Sequence, residues 1–422
     1  MNILIQLSHP AHFHLYKLVA KNLIDNGHKV LFVIKSKDIL EQLLQNAGLP
    51  YVNINQHAHR GSKLGILWDM FVREWRIWKL CRRHQIDLLT GSTPEVAHVA
   101  KLTGRRSVNT GEDDADVISM FIKIAKPFID GYAAPNPCEM GPVEPKTSHY
   151  PGYHELAYLH PNHFTPDEKV VKGYDIDVTK PYFILRFASL NAHHDDGIKG
   201  INTEIAQKLI DILSPHGRIY ITSERPLEPQ FEQYRIKINP LDMHHVMAFA
   251  SLYIGDSQTM AAEAGVLGVP FVRFNDFVGR IGYLRELEDI YHLGFGIHAT
   301  PLSPSNLQLV PHPHNQSSNT EEKEQVSSPE SKVSACSLSP LIVSADHVEK
   351  EQPSGPEAMY RIVEQLVSMD ATERRALYQQ RRQKMLSEKI DCAKFLTWFI
   401  EEYPKSVEET KKGGEKFWKR FK

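Results

Sequence analysis

Two histidines, His9 and His12, stand in the stretch Ser8-His9-Pro10-Ala11-His12, directly after the apolar run Ile3 to Leu7. A loop between a buried strand and a helix is where a parallel sheet places ligands. An imidazole there can take a proton from a hydroxyl near neutral pH, or simply cap and pack the loop. A second pattern runs Gly255-Asp256-Ser257-Gln258-Thr259-Met260-Ala261-Ala262-Glu263, then reaches Gly268-Val269-Pro270. It reads strand, turn, helix, stop. Asp256 or Ser257 suits the helix cap. The free amides of Gln258 and Thr259, with the helix dipole, form an anion site. Glu263 follows Ser257 by six residues, where a carboxylate can accept the two hydroxyls of a ribose. An ordinary capped helix gives the same spacing. A third stretch runs from Arg186 to Asp195 and includes Asn191, His193 and His194; Arg225 lies beyond it. Arg186 at the end of a buried strand needs an anionic partner, a carboxylate or a phosphate. Arg225 fits a diphosphate or the surface. An acidic turn, Glu112-Asp113-Asp114, follows the strand pattern Arg106 to Asn109 and also fits a solvated turn.

The elements that must hold these residues alternate. Ile3–Leu7, Lys29–Ile34, Tyr51–Ile54, Ile86–Thr90, Arg106–Asn109 and Gly131–Ala134 read as strands, the last of these closing the set. Helical spacing fills the gaps at 14–26, 39–46, 63–84, 95–103 and 118–126. Beyond about residue 166 the alternation starts again, with strands at 182–187, 218–222, 252–255 and 269–274. The class is α/β, with two Rossmann-like domains facing a cleft: residues 1–165 and 166–300. Residues 301–356 hold 12 Ser, eight Pro and no aromatic residue. That composition predicts a disordered insertion. Helices resume over 357–422, at 358–369 and 372–403, and one of them is expected to cross back to the first domain. The basic tail Lys411 to Lys422 carries Phe417, Trp418 and Phe421, which suits a frayed end or a peripheral membrane contact.

Composition narrows the function. The 422 residues carry 49 Lys+Arg against 51 Asp+Glu, a net charge of −2, which excludes a generally basic nucleic-acid binder. Cys81, Cys138, Cys336 and Cys392 are far apart, so neither a disulfide framework nor a thiolate zinc site is expected. No run approaches a membrane span, and the first residues lack a signal-peptide pattern. The expectation is a cytoplasmic protein, at most peripheral to the inner face of the membrane.

The Asp256 block resembles the nucleotide-sugar site of the GT-B superfamily, in particular that of the UDP-N-acetylglucosamine 2-epimerases. Ser257 and Glu263 match, while Gln258 and Thr259 replace two glycines. Across about 1–300 and 357–400 the chain is similar to DUF354, an uncharacterised prokaryotic GT-B-like family. The motifs are Ser8 to His12, Arg186 to Asp195, Thr222-Ser223-Glu224-Arg225-Pro226 and the Asp256 block. His12 is similar in position to a histidine of MurG-type glycosyltransferases, and Glu112 to a catalytic glutamate of the 2-epimerases. Ser92 stands where those epimerases have an aspartate.

The resemblance implies an enzyme acting on a UDP sugar. Ser257, Gln258, Thr259, Glu263, Arg186, Arg225, Asn191 and His193 would bind the nucleotide sugar, and His12, His9 and Glu112 would act in catalysis. The leading expectation is a glycosyltransferase of cell-surface polysaccharide or glycolipid synthesis, with a saccharide or lipid-linked acceptor. Epimerisation or hydrolysis of the UDP sugar is the alternative within enzymes, and an inactive sugar-nucleotide binder the alternative outside them. No cofactor is expected beyond the substrate. A metal at His193, His194 and Asp195 is disfavoured because adjacent side chains diverge, and GT-B enzymes generally hold the diphosphate without one.

Overall fold

The structure is a computed structural model, and it describes residues 1–35, 40–55, 63–188, 200–301 and 353–422. The first half runs β1 (Asn2–Leu7), α1 (Pro10–Asp25), β2 (Lys29–Lys35), α2 (Leu40–Asn46), β3 (Tyr51–Asn55), α3 (Lys63–Arg83), β4 (Leu88–Gly91), α4 (Pro94–Leu102), β5 (Arg106–Thr110), α5 (Ser119–Ala125), β6 (Gly131–Pro135) and β7 (Thr147–Tyr150). Its strands form one parallel sheet in the order β3-β2-β1-β4-β5-β6-β7. Side chains alternate across a strand. Ile3, Ile5 and Leu7 therefore join the core under α1 and α2, while Leu4 joins Ile77, Leu89 and Val96 under α3 and α4.

The second half adds α6 (Glu168–Lys172), β8 (Tyr182–Phe187), α7 (Thr203–Leu213), β9 (Arg218–Ser223), α8 (Met243–Phe249), β10 (Leu252–Gly255), α9 (Gln258–Leu267), β11 (Phe271–Phe274), α10 (Gly282–Arg285) and β12 (Gly294–Ile297). This sheet is also parallel, in the order β12-β11-β10-β8-β9. The linker between the sheets contains a 3-10 turn at His154–Ala157.

The chain ends in α11 (Pro356–Ser368), α12 (Ala371–Glu388), α13 (Cys392–Glu401), α14 (Lys405–Lys412) and α15 (Glu415–Trp418). Helix α11 packs on α7 and β11. In α12, Gln379 and Arg382 donate to the last carbonyls of α9, at Leu267 (3.0 Å) and Val266 (2.7 Å). Helix α13 then crosses to α1, where Asn22 donates to Thr397 (3.3 Å) and Asn26 to Glu401 (2.7 Å).

Several expectations change. Helix α1 starts four residues earlier than its apolar spacing suggests, because His9 caps it and Pro10 occupies its first turn. Gly131–Pro135 is not the last strand of the first sheet; β7 follows it with the sequence Thr-Ser-His-Tyr. The stretch 372–403 is two helices, broken where Asp391 caps α13 by accepting from the Lys394 N–H. The tail is neither frayed nor turned outward. Phe417, Trp418 and Phe421 stack on Phe395 and Trp398 at centroid distances of 5.3–5.7 Å. The insertion expected at 301–356 falls almost wholly outside the described residues. Its flanks are neighbours, since Gly355 N–H donates to the His298 carbonyl (2.8 Å). Among the described residues no helix is long and apolar enough to cross a membrane.

Candidate active site

The second domain's part of the site begins where β10 ends. A Cβ on Gly255 would lie 2.6 Å from the Tyr253 hydroxyl and 2.8 Å from Arg186 Cβ, so glycine alone fits there. Asp256 turns inward: its carboxylate accepts the N–H of Ala188 (2.6 Å) and of Ile201 (3.2 Å). Burial lifts its pKa to about 6, against the pull of those backbone N–H groups. The cap is therefore Ser257, whose Oγ accepts the Met260 N–H at 3.4 Å. Gln258 and Thr259 open the helix.

Both arginines already have partners within the protein. Arg186 donates to Thr222 (2.8 Å) and pairs with Glu224. Arg225 donates to the Ile201 carbonyl (2.8 Å) and lies over the Phe187 ring. Both are used to tie β8 and β9 to the loops that follow them. Asn191, His193, His194 and Asp195 lie outside the described residues.

In the first domain, His9 Nδ1 accepts the Ala11 N–H (3.2 Å) and His12 Nδ1 accepts the Ser8 N–H (3.3 Å). A ring nitrogen that accepts carries no proton, so each neutral imidazole is protonated on Nε2. Their lone pairs already hold the turn before α1. These contacts hold both rings at the turn that opens α1.

Between the domains the structure gathers residues from four segments: α1, the linker, α8 and α9. Glu263 is 4% exposed, and its Oε1 accepts from the Tyr158 hydroxyl and from His244 Nε2, each at 2.8 Å. Rings of His14, Tyr158 and His244 lie 4.8–5.3 Å apart around it. Burial pulls the His14 pKa well below the ordinary histidine value, and neighbouring His244, Lys17 and His9 add to the effect. Burial also lowers the Lys17 ammonium, opposed by the Glu263 charge. His14 and Lys17 sit three residues apart on α1, so they share its inner face. Lys17, Tyr158 and His244 carry no local signal in the sequence.

Glu112 is not in a solvated turn. Its Oε2 accepts the His154 N–H (3.2 Å) and lies 3.3 Å from His154 Nδ1. Burial, then the Asp113 charge, raises its pKa well above the carboxylate range. Burial pushes His154 down to about 4, so this imidazole is neutral. Asp114, 5% exposed, joins the domains by accepting the Glu139 N–H (2.8 Å) and the N–H of Gly282 at the start of α10 (2.7 Å). A side chain on Gly282 would run into the Pro137 carbonyl, so the contact depends on glycine.

Glu155 was not foreseen. It is fully buried, neither carboxyl oxygen has a hydrogen-bond partner, and burial followed by the Glu112 charge raises its pKa well above normal. The folded protein thus holds a proton that the unfolded chain releases above about pH 4.3. Stability contributed at this site falls as pH rises from there through the raised folded value. Glu155→Gln removes that titration. Its melting temperature is expected to fall less than the wild type's between about pH 5 and about pH 8, and to exceed it at the upper end. An unchanged slope in scanning fluorimetry would mean that Glu155 is not held protonated.

With this geometry in place, comparison with solved structures is informative about fold. MnaA of S. aureus, solved with UDP, superposes with a TM-score of 0.59 over 97% of this chain and 98% of its own, at 9% identity. A UDP-N-acetylglucosamine 2-epimerase gives 0.56 over 96% of each chain, at 11% identity. A spinosyn forosaminyltransferase gives 0.55 over 97% of this chain and all of its own, at 14% identity. The fold is GT-B. At such identities the likeness is one of architecture. No family model and no curated protein sequence matches the chain.

Proposed function

We propose that the chain is a GT-B enzyme acting on a UDP sugar, and that it transfers the sugar to an acceptor hydroxyl. The observation that carries this reading is the convergence of two capped helix starts. Helix α1 begins at His9 and α9 at Ser257, each at the C-terminal edge of its own sheet. They are linked by way of α8, where His244 packs its ring against His14 of α1 and donates to Glu263 of α9. An N-terminus favours an anion, so the diphosphate is assigned to Ser257, Gln258 and Thr259. Glu263, one to two turns along, is assigned to the ribose. Occupation would exchange its bonds to Tyr158 and His244 for bonds to the ligand.

In transfer, the acceptor oxygen bonds to the anomeric carbon as the bond to the diphosphate breaks. The acceptor's proton passes to the Glu112 carboxylate. The leaving charge falls on the diphosphate, facing the amides at the start of α9. MnaA was solved with UDP, and the forosaminyltransferase is a transferase by name; both support the assignment of substrate class. The four sequence motifs support placing the chain in DUF354. A lipid-linked acceptor would fit cell-surface polysaccharide or glycolipid synthesis.

One observation favours a second reading, epimerisation or hydrolysis of the UDP sugar. Glu112 and Glu155 are two buried carboxyl groups with raised proton affinity in one interior, a pairing suited to moving protons on and off a sugar. Product analysis with UDP-N-acetylglucosamine separates the readings. UDP release that requires an acceptor is the expected result. Epimer or free sugar without acceptor supports the second reading, and UDP binding with no turnover overturns both.

A further inference from the structure

The solvent side of α3 is built against the usual rule. A surface helix buries one stripe and shows polar residues to water. Here Arg73, Ile77 and Cys81 face inward, while Leu67 (56% exposed), Trp68 (56%), Phe71 (58%) and Trp75 (46%) face out. At about 100° per residue, Leu67, Trp68, Phe71, Trp75, Trp78, Lys79 and Arg82 fall within one arc of about 120°. No acidic residue lies in that arc: Asp69 falls outside it, and Glu74 turns to His98 (2.5 Å). The ammonium of Lys79 sits 3.5 Å from the Trp75 ring centroid, and the Arg82 guanidinium 5.2 Å from that of Trp78. Bulky aromatic and aliphatic side chains, interleaved with cations and free of anions, are the composition that enters the headgroup region of a lipid surface. A stripe of large apolar groups of this kind is unusual on a surface that meets only water.

We propose that this face of α3 docks the first domain onto an anionic bilayer. The aromatic rings enter the interface, and Lys79, Arg82 and neighbouring Arg83 meet the lipid phosphates. The placement is consistent with access to the cleft. The C-terminal end of α3 leads to Asp87, whose carboxylate accepts the N–H of Asn2 at the start of β1 (2.7 Å). The apolar half therefore lies toward the opposite edge, where β1 hands over to α1. On the reading of the site given above, a membrane-borne acceptor would arrive beside His9 and His12.

The test is co-sedimentation of the full chain with phosphatidylcholine vesicles, with and without phosphatidylglycerol. The expected result is partitioning about tenfold or more stronger to the anionic vesicles, falling as salt is raised. Trp68→Ser, Phe71→Ser and Trp75→Ser together should abolish it without lowering the melting temperature, because these side chains are exposed. Lys79→Glu with Arg82→Glu should remove the preference for anionic lipid. Failure of the wild type to bind, or a triple variant that binds equally, overturns the proposal. So does a concentration-dependent dimer in sedimentation velocity that the triple variant loses, since α3 would then be a contact between copies. Nucleotide binding by the vesicle-free protein is measured separately, so loss of lipid binding and failure of the UDP-sugar reading are told apart.

Discussion

Glu263→Ala is expected to lose nucleotide binding and part of the stability together. The substitution leaves the Tyr158 hydroxyl and the His244 N–H buried without their acceptor. Each such orphan costs about 1–3 kcal/mol. Glu263→Gln separates the two losses. An amide oxygen can still accept from both donors, so its melting temperature should stay near the wild type's. It offers a ribose one acceptor atom in place of two, and UDP should bind about tenfold more weakly, a change of about 1.4 kcal/mol. Calorimetric titration of UDP into the three proteins makes the comparison. If Glu263→Gln binds UDP as the wild type does, the carboxylate is a strut between domains and the ribose lies elsewhere.

Glu112→Gln should fold normally and turn over about a hundredfold or more slowly. Normal folding is expected because the carboxyl is buried with its pKa raised, and a neutral amide of the same shape can accept the His154 N–H in its place. Slow turnover is expected because an amide cannot take the acceptor's proton. The wild type should show a rate that rises with pH as Glu112 ionises, and the residual activity of the variant should lack that limb. A variant with wild-type kcat would leave Glu112 as packing, and an unchanged pH profile would move the titrating base to another group.

Much of the architecture was readable because parallel strands buried on both faces appear as short apolar runs, such as Ile3 to Leu7 and Tyr182 to Phe187. The strands that escaped lack this mark: Thr147–Tyr150 is polar in sequence and Gly294–Ile297 is half glycine. The break between α12 and α13 has no glycine or proline, although Asp391 as a cap was a legible sign. The site divides in the same way. Ser257 and Glu263 share one helix, so their spacing is local and visible. Glu155, Tyr158, His244 and Lys17 meet them only through tertiary contacts between distant segments, and no period in the chain encodes that meeting. Arg186 shows the same limit: a charge at a strand end asks for an anionic partner, and only the tertiary structure shows that Glu224 is one.

The two places where the backbone passes between domains lie side by side. Ile390 N–H donates to the Pro151 carbonyl at 3.0 Å, Asp391 Oδ2 meets His163 Nε2 at 2.7 Å, and Lys389 reaches back to Glu286 at 2.6 Å. Kinematically, two adjacent crossings make a single pivot. Rotation about it opens or shuts the mouth of the cleft widely while displacing atoms near the pivot little. Glu155 and Tyr158, on the linker itself, sit close to that fulcrum, whereas the caps at His9 and Ser257 belong to the two arms. Substrate entry then asks for angular freedom at the arms, while the linker turn that carries Glu155 is displaced least.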